Sequence, residues 1–371
     1  MTRRRRSPLR KIRTTNVIYP ILIGLGVVGY LLYDEFDPQV FDVINIASKS
    51  IFWLFAAFIL MAIRDIGYII RLKILSDNTF SWRQAFRIVM LWEFTSAITP
   101  SAIGGTSFAI LYVNKEGLSV GKSSAVVMAT SFLDELYFIL LFPVLLLTVN
   151  ASNLFITDGM EHVGKIASFT NEFFYFATIG YSLKLMYTIV VSYGLFFNPR
   201  GLKWLLLWIF KLPVLRKWRQ GANEAGTDIV TSSRELKSKP FSFWLKAFGA
   251  TFFSWTARYW VVNAMLVAFF LINDHFLIFA RQLVMWIMMV ISPTPGGSGF
   301  AEYVFTEYLG EFIPVAAHLE RPTAVAMAFV WRLISYYPYL IIGAIILPRW
   351  LKMIFATSSI DKIKDDEALH S

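Results

Sequence analysis

The stretch ISPTPGGSGFAEY, residues 291–303, decides how this chain is read. It sits in a long apolar region, yet it holds two prolines, three glycines, two serines and a glutamate. Proline removes a backbone donor and glycine frees the backbone from helical geometry, so a helix does not pass through unchanged. In lipid, irregular backbone is tolerated only where protein buries it or where it lines a cavity. The stretch therefore asks what lies beside it.

It has a partner. Residues 98–109 read ITPSAIGGTSFA, and Ile-x-Pro, Gly-Gly and Phe-Ala recur at 291–301 with one residue deleted. The match extends outward in register. Arg64 in AIRDI answers Arg258 in TARYW, and SAVVMATSFLDELY (124–137) answers TAVAMAFVWRLISY (323–336), with Arg332 opposite Leu133 and beside Asp134. Each half thus reads as a span with an arginine, a broken segment, then a span with a charge. One such match between apolar helices is commonplace; three in order, including rare intramembrane charges, argue for an internal repeat.

The composition sets the class. The 371 residues are 56% hydrophobic and 16% charged, and apolar runs near 17–33, 51–70, 84–99, 123–149, 173–197, 241–270, 277–292 and 323–347 recur along the length. That is an all-α polytopic membrane protein. The net charge of +10 is concentrated in a few loops, which fits membrane orientation rather than a nucleic-acid partner. There is no cysteine, which excludes disulfides, thiolate metal sites and cysteine nucleophiles. His162, His275, His318 and His370 are scattered, so no metal site and no cofactor are expected.

Loop charge gives orientation. Residues 1–16 carry seven bases and no acid; 34–50 hold four acids against one lysine; 71–83 hold three bases and one acid. Residues 150–172 hold three acids and one lysine, and 198–240 nine bases and three acids. By the positive-inside rule, 71–83 and 198–240 are cytoplasmic and 34–50 and 150–172 are outside, with both termini cytoplasmic in an inner membrane. Parity then makes 84–122 and 277–322 even-numbered excursions. Two full spans in each would satisfy parity, but the Pro/Gly centres point to re-entrant hairpins, giving six full spans plus two hairpins. The two halves (51–149 and 241–347) have opposite orientation, an inverted-topology repeat of the kind found in secondary transporters. In this division 17–350 is one transmembrane domain. Residues 173–197 form the connector span, 199–240 an amphipathic interfacial helix and cytoplasmic helix or a plain linker, and 351–371 a cytoplasmic tail.

A half-helix starting after each break would present free N–H groups and a positive dipole end to an anion such as phosphate. Gly104, Gly105, Thr106 and Ser107 in the first break, and Gly296, Gly297, Ser298 and Gly299 in the second, are the candidates. Arg64, Arg258 and Arg332 are the candidate cations, because a guanidinium grips two phosphate oxygens at once. Glu93, Asp134, Glu135 and Glu302 would pair with arginines at rest or carry a coupling proton. Across the repeat, Asp134 is expected to approach Arg332. Lys184 reads as a snorkelling or packing residue, and YYPYL at 336–340 as helix packing before the alternative of lining a pathway.

At these residues the sequence resembles a known family: the flippase-like membrane domain of the lysylphosphatidylglycerol synthases, also called multiple peptide resistance factor. The resemblance covers about residues 15–350. Its sharpest match is Pro295, Gly296, Gly297, Gly299 and Glu302, with TPSAIGGTSFAILY, EGLS and SFLDELY as a looser first element. Family members often carry a Glu and an Arg just after the first glycine motif, where this chain has Thr106, Ser107 and Tyr112. The resemblance implies transbilayer movement of a polar or phosphate-bearing lipid, by a stand-alone member without the aminoacyl-transferring domain. Membrane lipids are then the partners, and a homo-oligomer is an open assembly. A secondary transporter of a soluble anion, a membrane enzyme acting on lipid, and a non-transporting partner in envelope biogenesis are the alternatives. The sequence has no phosphate-loop motif and no spacing that announces a catalytic site.

Overall fold

The computed structural model describes residues 39–40, 44, 47–99, 104–155, 172–212, 236–292, 294 and 296–369, with single positions between 216 and 234. The expected first span at 17–33, and Pro100, Ser101, Pro293 and Pro295 of the two breaks, lie outside them. Among the described residues the fold is entirely helical. Helices α1 (Ser48–Leu75), α2 (Trp82–Ile98), α3 (Gly104–Lys115) and α4 (Val120–Thr148) come first. Then follow α5 (Ala151–Phe155), α6 (Glu172–Ser192) with a π-helical turn at Tyr193–Phe197, and α7 (Pro199–Ile209). The second half holds α8 (Phe241–Phe269), α9 (His275–Met288), α10 (Phe300–Leu309), α11 (Ala317–Ser335) and α12 (Tyr337–Leu369). Among the described residues, four helical stretches are long and apolar enough to cross a membrane: Ser48–Leu75, Val120–Thr148, Glu172–Phe197 and Ala317–Ile354.

Helix α1 shows what solvent the fold is built for. Phe52 and Phe55, on its outer face, are 63% and 64% exposed, whereas Arg64 is 1% exposed. Arg71 and Tyr68 are buried on the inner face with it. In water this arrangement would be inside out. In hydrocarbon it is the favourable one, because the charges must face the protein. Local signals set the helix starts. The Ser81 hydroxyl caps α2 by accepting from the Gln84 backbone N–H at 3.3 Å, while the Gln84 side-chain Oε1 accepts from the Ser81 N–H at 3.0 Å, a capping box. The Ser119 hydroxyl accepts from the Lys122 N–H at the start of α4.

The arginine-bearing helices of the two halves, α1 and α8, run antiparallel along their length. Ser50 donates to the Ala268 carbonyl at 2.7 Å, and Ser254 donates to the Arg64 carbonyl at 2.6 Å. Gly67 permits this closeness: a methyl group there would stand 2.9 Å from Ser254 Cβ and 3.0 Å from the Ala250 carbonyl. Such small-residue contacts are how membrane helices approach. Gly67→Leu should destabilise the protein by about 1–3 kcal/mol, the usual penalty of overpacking. A melting curve in detergent checks this, and an unchanged midpoint would remove the tight α1–α8 contact.

Both sequence breaks are structural breaks. Helix α2 ends at Ile98 and α3 begins at Gly104. Helix α9 passes into a 3₁₀ turn, Met289–Ile291, and α10 begins at Phe300. Gly296, Gly297 and Gly299 between them have φ of 58°, 69° and 85°, a region that side chains rarely enter. The two breaks meet. Tyr336 donates to the Ala97 carbonyl at 3.1 Å, and a methyl on Gly296 would lie 2.8 Å from that same carbonyl.

The run 323–347, read as a single span, lies within the one apolar stretch Ala317–Ile354, which is broken at Tyr336 into two helices. Tyr336 and Tyr339 stand in the wall of an internal cavity, the alternative reading of YYPYL. Residues 351–369, read as a tail, continue α12. The amphipathic segment expected at 199–240 is helical over Pro199–Ile209, with Trp204 and Trp208 exposed.

Candidate functional site

At the junction of the two breaks lies a cavity of about 270 Å³, lined by residues from both halves. Arg64, Glu93, Asp134, Arg258, Gly296, Gly297 and Arg332, all singled out from the sequence, are in its wall. A second cavity of about 160 Å³ adjoins it and shares Tyr68, Glu93 and Asp134. Thr106 lines this second space with Arg71, Thr130 and Ser131.

Most of the arginines here carry an internal carboxylate. Arg64 is held by Glu93 at 2.7 Å and Asp65 at 2.8 Å, and its guanidinium lies 4.4 Å from the Tyr68 ring centre. Tyr339 donates to both Asp65 oxygens at 2.9 and 3.0 Å, fixing that carboxylate. Arg332 is held by Glu302 at 2.8 Å, in a pair whose side chains are 6% and 4% exposed. It also donates to the carbonyls of Gly296 at 3.2 Å and Gly297 at 3.3 Å. Glu302 in turn accepts the Gly299 N–H at 2.7 Å. The second break is thus clamped: its free carbonyls are taken by Arg332, and one N–H of the following helix by Glu302. At the expected anion seat, the Gly299 N–H is thus already taken by the chain's own carboxylate.

Asp134 was expected to meet Arg332 and does not. Its ion pair is with Arg71, both of whose terminal nitrogens reach the carboxylate, the second at 3.2 Å, and the Trp255 indole N–H donates to it at 2.7 Å. Arg332 and Asp134 line one cavity, but each is neutralised by a nearer partner. Arg71 had been counted among the bases of the loop 71–83. The signal that finds it is spacing: it stands seven residues after Arg64, two turns along the same helical face. The Tyr68 ring lies between the two guanidiniums, 4.4 Å from Arg64 and 4.5 Å from Arg71.

Arg258 differs from the rest. Among the described residues it has no ion pair; its guanidinium stacks 4.0 Å from the Trp286 ring centre and 5.6 Å from that of Trp255. Arg64 and Arg258 align at a shift of 194, and the prolines of the two breaks at 193; at 193, Trp286 aligns with Glu93. An indole thus stands where that register puts a carboxylate. It holds the cation in place by cation–π contact without neutralising it.

Two sequence candidates serve other purposes. Glu135 pairs with Lys184 at 2.9 Å, tying α4 to α6, and neither lines the cavities. Lys184 is therefore a buried partner rather than a snorkelling residue. Ser298 is buried and Gly299 precedes α10, while Gly104 and Gly105 open α3, where a methyl on Gly105 would strike Ser96. The side chain of Ser107 lies outside the described residues. Arg281, not singled out from the sequence, is 1% exposed, donates to the carbonyls of Asn153 and Tyr308, and pairs with Glu311 at 2.6 Å. It fastens α5 to the end of α10. Among the described residues no group of three His, Asp or Glu could hold a metal ion.

Residues 17–343 match the family model described as the lysylphosphatidylglycerol synthase TM region. A UPF0104 membrane protein of Archaeoglobus fulgidus is 26% identical over 341 residues, covering 88% of this chain and 94% of that protein. The matched region contains both breaks and every arginine of the cavity wall.

Proposed function

The chain belongs to the family of the lysylphosphatidylglycerol synthase TM region, and on that premise we propose that it moves a lipid with a polar, phosphate-bearing head group across the cytoplasmic membrane. The observation that supports this most directly is Arg258, a cation without a carboxylate partner among the described residues, set in the wall of a cavity whose other arginines are internally paired. A head-group phosphate entering there gains a charge-assisted contact without breaking an existing pair. The acyl chains stay in the bilayer while the head group crosses between the two breaks. The antiparallel packing of α1 and α8, and the meeting of the breaks at Ala97, Gly296 and Tyr336, support an inverted repeat with two re-entrant hairpins. No step in this reading requires a covalent reaction.

Reconstitution into liposomes tests it. A panel of fluorescent phospholipids of varied head group should lose outer-leaflet signal faster with protein than without, and trapped soluble phosphate should not be exchanged. Exchange of phosphate without lipid transfer would instead make the protein a transporter of a soluble anion. The topology is tested separately in this cysteine-free chain. Asp77→Cys and Asp158→Cys should label from opposite faces of sealed vesicles; labelling from the same face would overturn the six-span, two-hairpin arrangement.

A further inference from the structure

Away from the central cavity, at the joint between α6 and α7, lies a cavity of about 280 Å³ whose lining is basic and aromatic. Arg200, Arg234 and Lys237 line it, together with Asn198 and Phe197. Among the described residues none of these three bases has an ion pair, and all three are exposed. We propose that this cavity is a docking site for the head group of an anionic phospholipid in the adjacent leaflet, distinct from the transport cavity.

Three observations lead there. The first is the joint itself. The chain passes from α6 through the π-helical turn Tyr193–Phe197 into α7, and Asn198 accepts the Gly201 N–H at 2.8 Å to set the new direction. The second is the outer face. Phe197 is 75% exposed, Trp204 65%, Trp208 56% and Leu212 57%. Trp204 and Trp208 stand one turn apart on one side of the helix, and indoles favour the level of the head groups. The helix is thus equipped to lie in the interface. The third is charge: residues 198–240 carry nine bases against three acids, and a cationic segment at that depth is attracted to anionic lipid. An aromatic face at the interface beside open cations fits an amphiphile whose tails lie in the bilayer and whose phosphate reaches the cavity. A free phosphate would use only the cations and leave the exposed aromatics uncovered.

The site is readable independently of transport. The full-length protein in detergent would be titrated with dioctanoyl phosphatidylglycerol, with dioctanoyl phosphatidylcholine and with inorganic phosphate, and bound ligand counted by native mass spectrometry. Phosphatidylglycerol should bind with a salt-sensitive component that the other two lack. The variant Arg200→Gln/Arg234→Gln/Lys237→Gln should weaken that component by about tenfold or more, since basic residues near a surface each contribute measurably. Trp204→Ser/Trp208→Ser should weaken phosphatidylglycerol binding while leaving any phosphate binding unchanged. Arg258→Ala should leave this component intact, which separates the site from the cavity reading. The changed residues are on the surface, and equal melting midpoints would verify folding. Phosphatidylglycerol binding unaltered in the triple variant, or equal binding of phosphatidylcholine, would overturn the proposal. So would binding of inorganic phosphate as tight as that of the lipid.

Discussion

Arg258→Ala should reduce lipid transfer in proteoliposomes by about 30-fold to several thousand-fold. That range follows from about 2–5 kcal/mol for truncating one partner of a buried charged contact, each 1.4 kcal/mol being tenfold. The folded protein should change little, because Arg258 has no carboxylate among the described residues that its loss would orphan. This makes it the most informative position in the cavity. Arg64→Ala would also stop transfer, but it would strand Glu93 and Asp65, so lost activity there would not separate binding from misfolding. Arg258→Lys should restore transfer only in part, since an ammonium lacks the planar fork that grips two oxygens and stacks on Trp286. Transfer at the wild-type rate by Arg258→Ala would remove the head-group site from the mechanism.

The second large effect is on stability. Arg332 and Glu302 form a nearly dry ion pair that also holds the glycine break closed. Removing one partner of such a pair leaves a buried charge, at about 3–5 kcal/mol. Glu302→Gln and Arg332→Gln should therefore each lower the melting midpoint in detergent markedly. The double variant should lose less than the sum, because neither charge is then left alone. Asp134→Asn combined with Arg332→Gln should instead be additive, each residue having its own partner. Additive losses for Arg332 and Glu302 would mean that the clamp on the second break is not energetically coupled.

The sequence by itself determined the class of the fold and the place of its two breaks. Those properties are one-dimensional. Apolar runs, loop charge and the recurrence of Pro and Gly are read along the chain, and a proline or glycine acts on its own backbone wherever it lies. The same reading marked Arg64, Arg258, Arg332, Glu93 and Asp134, because a charge in an apolar run is rare enough to be noticed without a structure. Which charge neutralises which was decided by the tertiary structure alone. The sequence offered Asp134 only Arg332. The α1–α4 packing supplies Arg71, and the clamp on the second break takes Arg332. Arg71 itself was hidden by its position at the edge of a basic loop, where loop charge and helix charge look alike. Tyr336 and Tyr339 of YYPYL line the cavity beside the point where α11 and α12 part. Trp286 shows the limit most clearly. As a residue in an apolar run it is unremarkable, and only the 4.0 Å contact shows that its ring packs against the Arg258 guanidinium. Ion pairing depends on distances of a few ångströms between segments remote in sequence, and these are set by how the helices pack, not by the pattern of residues along any one of them.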